Sequence, residues 1–200
     1  MPLARLRQLL IIMLAFLGGA LIALLVLPGP ASKPSATSGK AEVGGPFTLT
    51  DHTGKRVTGK DFRGRIQIVY FGFTLCPDIC PAGLQVMAAA LDELGPLADK
   101  IAPIFVTLDP GHDAPALLAD YVRSFSPRLI GLTGTEAEIR DLAKAYHVYY
   151  RREPDPNSTT GYTIDHTALF YVMGRDGQYV THLQHSTSTD AMVARLKQLF

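Results

Sequence analysis

The sequence predicts an α/β domain built on a central sheet, and three observations support that fold class. Residues 66–71 and 101–108 are runs of β-branched, aromatic and other apolar residues, as in buried strands. Residues 84–94 lie between them and carry apolar residues at helical spacing, and a strand–helix–strand crossover implies parallel strands. Near the C-terminus, the short turn at residues 174–177 joins two further strand-like segments, which implies an antiparallel pair.

The other elements are predicted in chain order from turns, helix stops and caps. The turn at residues 51–54 joins two short strands into an N-terminal β-hairpin. Pro127 follows the second helix, and Thr135 with Glu138 forms the capping-box pattern that opens the third. The polar segment at residues 153–162 contains two prolines and is predicted to be a loop.

Taken together, these elements follow the thioredoxin-like order: a central sheet with flanking helices, with an N-terminal β-hairpin extension and an addition in the middle. The predicted strands are residues 47–50, 56–58, 66–71, 101–108, 129–132, 168–172 and 179–182, with a strand or extended exit at 148–151. The predicted helices are residues 84–94, 117–125, 135–146 and 189–199.

The apolar segment at residues 9–27 predicts an N-terminal transmembrane helix. Its 19 residues would span about 28 Å, close to the ~30 Å hydrocarbon core and longer than the apolar region of most signal peptides. Because Arg5 and Arg7 precede the segment, the positive-inside rule places residues 1–8 in the cytoplasm and the rest outside. The sequence therefore favours a single-pass anchor in the inner (cytoplasmic) membrane with a periplasmic body. A cleaved signal is the alternative.

Composition separates a tether from the body and limits the kinds of partner. Residues 28–45 are rich in Pro, Ser, Gly and Ala and predict a flexible tether, so residues 46–200 form the predicted folded domain. Lys and Arg total 19 against 18 Asp and Glu, and this balance argues against a nucleic-acid partner. The two cysteines are too few for a four-cysteine zinc or iron–sulfur site.

Both cysteines, Cys76 and Cys80, lie between the central strand and the first long helix, where functional groups of open α/β sheets collect. Pro81 fits a first helical position, so Cys80 is the predicted N-cap, and a nearby helix N-terminus favours the thiolate form. Three interpretations remain open for this pair: a stapling disulfide, a redox-active dithiol, and a metal site.

A third ligand is predicted from topology. If the strand at residues 168–172 runs antiparallel beside residues 66–71, its start lies next to the dithiol, and His166 sits at that start. Two thiolates and an imidazole suit Cu(I) or Cu(II). Three carboxylates are expected nearby, where they would tune ligand orientation or metal charge: Asp78, Asp109 and Asp165.

Four blocks of sequence together resemble the Sco/SenC family: CPDICP, TLDP, LIGLTGT followed by AKAYHVYY, and TIDHTALFYVMGRDG. The resemblance covers about residues 43–200. It implies a thioredoxin-like domain that binds copper through Cys76, Cys80 and His166 and helps to assemble the dinuclear CuA centre of cytochrome c oxidase. Many members carry arginine before the aspartate at position 113, where this chain has His112, so His112 is a weak further ligand candidate.

The resulting hypothesis is a membrane-tethered copper chaperone rather than an enzyme. Its expected partners are cytochrome c oxidase subunit II and periplasmic copper donors or thiol–disulfide reductants. The alternative is a thiol–disulfide reductase that keeps the subunit II cysteines reduced, although CxxxC departs from the CxxC pattern of thioredoxins. A peroxidase-like enzyme on the same fold is a third, weaker hypothesis.

Overall fold

The computed structural model describes Met13 and residues 42–200, and Ala41–Phe200 forms one compact unit. The predicted cytoplasmic segment at residues 1–8, the predicted anchor at residues 9–27 and most of the predicted tether lie outside the described residues, apart from Met13. Within the described part of the chain, no helix has both the length and the apolar character needed to cross a bilayer.

Within residues 42–200 the body has nine strands: β1 (Thr48–Asp51), β2 (Arg56–Thr58), β3 (Ile66–Gly72), β4 (Ile101–Thr107), β5 (Ile130–Thr133), β6 (Tyr150–Pro154), β7 (Tyr162–His166), β8 (Leu169–Met173) and β9 (Tyr179–Gln184). Seven of them form one sheet in the order β2-β1-β5-β4-β3-β8-β9, and β6 and β7 form a separate two-stranded sheet. The helices are α1 (Ile79–Leu94), α2 (Pro115–Arg123), α3 (Glu136–Ala145) and α4 (Thr189–Lys197), and short 3-10 turns cover Gly59–Phe62 and Gly95–Lys100.

The strand pairing confirms the predicted thioredoxin-like core. β3 pairs with β4 in parallel, with Ile66 opposite Ile101, and every residue of both strands is buried. β8 runs antiparallel to β3, with Phe170 opposite Tyr70, so β8 starts beside the end of β3 from which α1 follows. This edge of the sheet is where the dithiol was expected, because parallel strands separated by helices bring their carboxyl ends together.

The predicted loop at residues 153–162 was wrong at both ends. β6 extends to Pro154 and β7 begins at Tyr162, so the two strands form a hairpin and only residues 155–161 connect them. Both strands are largely polar and half-exposed. They therefore lack the run of apolar residues from which a buried strand is predicted. His166 therefore ends β7, whereas topology had placed it at the start of β8.

Candidate metal centre

The segment that carries the two cysteines leaves the end of β3 and enters α1. The helix begins at Ile79 with Asp78 as its N-cap, so the prediction of Cys80 as N-cap was wrong. Proline is tolerated throughout the first helical turn, where its missing N–H has no partner, and Pro81 therefore did not mark the first position. Cys80 lies in the first turn, and its backbone N–H donates to Cys76 Sγ at 3.4 Å.

Gly72 makes room for the buried cysteine. A Cβ at this position would lie 2.6 Å from Cys80 Sγ and 2.9 Å from the Phe105 ring. Real Cβ atoms do not approach other heavy atoms so closely, so the last residue of β3 must be glycine for Cys80 to keep this position. Glycine at a strand end is also common in ordinary turns, so the sequence alone does not distinguish Gly72.

His166 reaches the dithiol from the end of β7. Its Nδ1 lies 3.1 Å from the Thr167 carbonyl oxygen, which can only accept, so Nδ1 is the protonated nitrogen. Nε2 is then the free nitrogen, and it lies 3.5 Å from Cys80 Sγ. The Phe73 ring packs edge-on against the imidazole, with ring centroids 6.0 Å apart. The ring orientation and tautomer are thus set for ligation through Nε2.

The structure brings together the three residues predicted as ligands. Cys76 Sγ, Cys80 Sγ and a ring nitrogen of His166 all lie within 4.8 Å of one another. Among the described residues, they are the only group of three or more such side chains placed to hold a metal ion. A cleft of about 360 Å³ opens beside them, between residues 76–79 and residues 163–166. The donor set, two sulfurs and one imidazole nitrogen, is the chemistry that copper ions accept.

The two cysteines differ in their protonation. The Cys80 thiol donates to the Cys76 sulfur, and this bond is the main reason that the pKa of Cys76 falls to about 4, although partial burial opposes the shift. The same bond and burial raise the pKa of the Cys80 thiol. The shared bond therefore favours the thiolate form at half-buried Cys76 and the thiol form at buried Cys80.

This asymmetry predicts the pH dependence of Cys76 alkylation. The rate with iodoacetamide should stay nearly flat between pH 6 and pH 8, whereas an ordinary thiol of pKa about 8.5 accelerates roughly 100-fold over that range. Cys80→Ala removes the donating thiol and should move the midpoint upward. A wild-type midpoint near pH 8.5 would contradict the assignment.

None of the predicted carboxylates belongs to the three-residue cluster. Asp78 is exposed at the start of α1, and its side chain makes no capping hydrogen bond. Asp165 is also exposed, and both residues line the cleft. Asp109 is only 1% exposed and accepts hydrogen bonds from the hairpin that carries His166. His112 is also outside the cluster, because its Nδ1 contacts Asp113 Oδ1 at 2.9 Å.

Asp113 supports the dithiol and was not predicted from the sequence. Its fully buried carboxylate accepts from the Thr74 backbone N–H at 3.0 Å and from the Thr74 and Thr107 hydroxyls at 2.5 Å each. Thr74 stands two residues before Cys76, so these bonds fix the start of the cysteine segment to the end of β4. A single acidic residue in a loop is usually solvated, so the sequence gives little reason to expect a buried carboxylate at Asp113. Its position shortly after the TLDP block is the one signal that could have indicated it.

The fold and the site together define a class: a thioredoxin-like protein with a dithiol and an imidazole arranged as a possible metal site. The SCO1/SenC family model matches residues 35–200 of the chain. The chain belongs to the SCO1/SenC family.

Similar proteins span eukaryotes and bacteria. Protein sco1 of Schizosaccharomyces pombe is 42% identical over 169 residues, which are 82% of this chain and 64% of that protein. The chain thus matches less than two thirds of that relative's length. SCO2-like protein RP587 of Rickettsia prowazekii is 35% identical over 200 residues, with 97% of each chain covered. The copper-bound structure of Bradyrhizobium japonicum ScoI is 41% identical and superposes with a TM-score of 0.73, covering 79% of this chain and 99% of that one.

Proposed function

We propose that this protein is a copper metallochaperone that is tethered to a membrane through residues 9–27. In this proposal it delivers copper to, or matures, the CuA site of cytochrome c oxidase subunit II. The observation that carries the proposal is the convergence of Cys76, Cys80 and His166 beside an open cleft. Copper is bound in the structure of the Bradyrhizobium japonicum relative, which supports the choice of metal.

The donor set accounts for both binding and release. Thiolates prefer Cu(I), and thiolates with an imidazole also accept Cu(II). Binding requires both sulfurs as thiolates, so the buried Cys80 thiol gives up its proton when the ion enters. Cys76 is the more exposed sulfur and lines the cleft, so an incoming ligand from a partner reaches the ion from the Cys76 side. The exposed side chain of Ile79 flanks this opening and offers apolar surface to that partner.

The same dithiol gives the proposal a redox gate. A disulfide between Cys76 and Cys80 could not supply two thiolate ligands, so oxidation would release or exclude copper. Periplasmic reductants would restore the binding form, and periplasmic donors would load it. The predicted anchor and tether would hold the domain near a membrane-bound oxidase, and this arrangement rests on the sequence alone.

A second candidate function is a thiol–disulfide reductase acting on the subunit II cysteines. One feature of the site favours it specifically: Cys76 is half-buried and its pKa is lowered by the bond from Cys80, whereas Cys80 is buried and its pKa is raised. An accessible nucleophile followed by a protected second thiol is the arrangement that thiol–disulfide exchange uses.

The experiment that separates the two functions uses the full chain in detergent micelles. The reduced protein is titrated with Cu(I) against a chelator and with Cu(II) in the visible spectrum, and it is then mixed with the soluble CuA domain of subunit II. We expect one copper per chain, a sulfur-to-copper charge-transfer band, and transfer to the CuA domain.

The same preparation without copper is then mixed with the oxidised CuA domain. If the protein binds no copper but reduces the subunit II disulfide, the chaperone proposal is wrong and the reductase takes its place. If copper binds but never transfers to the reduced CuA domain, delivery is wrong.

A further inference from the structure

The three proposed ligands stand on two segments that share no strand pairing. Cys76 and Cys80 lie between β3 and α1, and His166 ends the β6–β7 hairpin, which forms a sheet of its own within the described part of the chain. Residues 109–113, here called the positioning turn, follow β4 and contact both segments. The geometry of the site therefore depends on how this turn holds each of them.

One end of the positioning turn holds the cysteine segment. Asp113 is fully buried, and both of its carboxylate oxygens accept bonds from Thr74, from the backbone N–H and from the hydroxyl. A third bond comes from the Thr107 hydroxyl at the end of β4. The carboxylate thus connects the sheet to the segment that begins two residues before Cys76.

The other end holds the hairpin. Asp109 Oδ1 accepts from Arg152 Nη2 at 2.7 Å, and Asp109 Oδ2 accepts from the Tyr162 hydroxyl at 2.7 Å. The Arg152 guanidinium also stacks on the Tyr162 ring, 4.3 Å from its centroid. The bond to Asp109 raises the pKa of the Tyr162 hydroxyl, as expected for a donor to a buried carboxylate.

Tyr162 and His166 lie on the same face of β7. They are four residues apart, and strand side chains alternate with period two, so both project from one side about 13 Å apart along the strand. Arg152 belongs to this face as well, because it pairs with Ile164, which lies midway between them. The hydrogen bonds from Arg152 and Tyr162 to Asp109 therefore fix the face of the hairpin that carries the His166 imidazole.

The positioning turn is itself rigidly closed. The Asp113 backbone N–H donates to the Asp109 carbonyl at 2.8 Å, and the His112 N–H donates to the same oxygen at 3.1 Å. The Asp109 N–H donates to the Thr107 hydroxyl at 2.9 Å. The two carboxylates are thus fixed relative to each other, one directed to the cysteine segment and one to the hairpin.

We propose that the positioning turn sets the distance between the His166 imidazole and the dithiol. Arg152 and Tyr162 then act as positioning residues for the third ligand. This inference rests on the proposed function, because it takes Cys76, Cys80 and His166 as the copper ligands. Weakening the hold of Asp109 on the hairpin leaves the two sulfurs in place but lets the imidazole leave its position, so copper retains two ligands and loses the third.

The test measures Cu(I) affinity of the reduced full chain in detergent, by competition with a chelator at one pH. Arg152→Gln removes the guanidinium, and Tyr162→Phe removes the hydroxyl but keeps the ring. Each should weaken binding about 10-fold, the lower end of the effect of groups that orient metal ligands. Arg151→Gln is the matched control, because it removes the same charge from the neighbouring residue. Arg151 pairs with Glu153, whereas Arg152 pairs with Asp109. It should leave the affinity within about twofold of wild type.

Two readouts separate positioning from general stability. In a His166→Ala background, Arg152→Gln should cost nothing further, because the ligand it positions is absent. In the metal-free protein, the ¹⁵N ring resonances of His166 should broaden in Arg152→Gln and stay sharp in Arg151→Gln. Thermal unfolding of each variant verifies that the fold is retained.

Each outcome decides the proposal. The proposal is wrong if Arg152→Gln lowers the Cu(I) affinity equally in the wild-type and His166→Ala backgrounds. It is also wrong if Arg152→Gln and Arg151→Gln lower that affinity equally. Neither result contradicts the three-ligand site. If His166→Ala binds Cu(I) as tightly as wild type, the three-ligand site of the proposed function fails, and the role of the turn in ligand positioning fails with it.

Discussion

Cys80→Ser is expected to lower the copper affinity of the reduced protein by roughly 60- to 700-fold. A four-ligand structural zinc site contributes about 10–16 kcal/mol, which is about 2.5–4 kcal/mol per ligand. At about 1.4 kcal/mol per tenfold, the loss of one ligand is worth a factor of about 60 to 700. Serine keeps the size of cysteine, but its hydroxyl remains protonated and is a poor ligand for soft Cu(I). Cys76→Ser should have a similar effect.

The measurement is chelator competition with Cu(I), together with the charge-transfer band in the Cu(II) form. His166→Ala should weaken binding as well and alter the band, because the sulfurs stay while the nitrogen is lost. His185→Ala serves as its control, since His185 is exposed and lies outside the cluster. Wild-type affinity in either serine variant would show that the sulfurs are not ligands.

Asp113→Ala should destabilise the fold by about 3 kcal/mol. The substitution leaves the Thr74 backbone N–H and two threonine hydroxyls without an acceptor at a fully buried position. Each buried group left without a partner costs about 1–3 kcal/mol, and rotation of the hydroxyls recovers part of that total. The free energy of unfolding from urea denaturation of the metal-free, reduced protein measures the effect.

Asp120→Ala is the matched control for this substitution. Its carboxylate is 84% exposed on α2 and forms only a 3.7 Å pair with Arg123. Surface pairs of this kind contribute about 0–1 kcal/mol, so the control should unfold close to wild type. If Asp113→Ala is no more destabilised than Asp120→Ala, the carboxylate does not hold the cysteine segment to the end of β4.

The central sheet could be predicted because its strands are buried on both faces. β3 and β4 are apolar throughout, and such runs between helical patterns leave few alternatives to parallel strands. The hairpin of β6 and β7 could not be predicted in the same way. Its residues are polar and half-exposed, and it is held by Asp109, which lies 43 residues before Arg152 and 53 before Tyr162. No local pattern records such a pairing.

The candidate site shows the same division. Cys76 and Cys80 were found from their spacing and their place before a helix, and His166 from the expected return of β8 beside β3. His166 lies beside the dithiol although it ends β7, because only two residues separate the end of β7 from the start of β8. Gly72 and Asp113 were not predicted, because their roles depend on contacts that form only in the folded chain. A side chain at position 72 would collide with Cys80, and Asp113 is the acceptor for the Thr74 backbone N–H.

The sequence by itself determined the fold class, the order of the core strands and the three side chains that meet beside the cleft. These follow from hydrophobic periodicity and from the chemistry of residue types, both of which are written locally along the chain. Only the tertiary structure decided which sulfur has the lowered pKa, which ring nitrogen of His166 faces the dithiol, and which buried carboxylates hold the two ligand-bearing segments together. Those properties depend on distances of a few ångströms between groups far apart in sequence, and burial and hydrogen bonding set them only once the chain has folded.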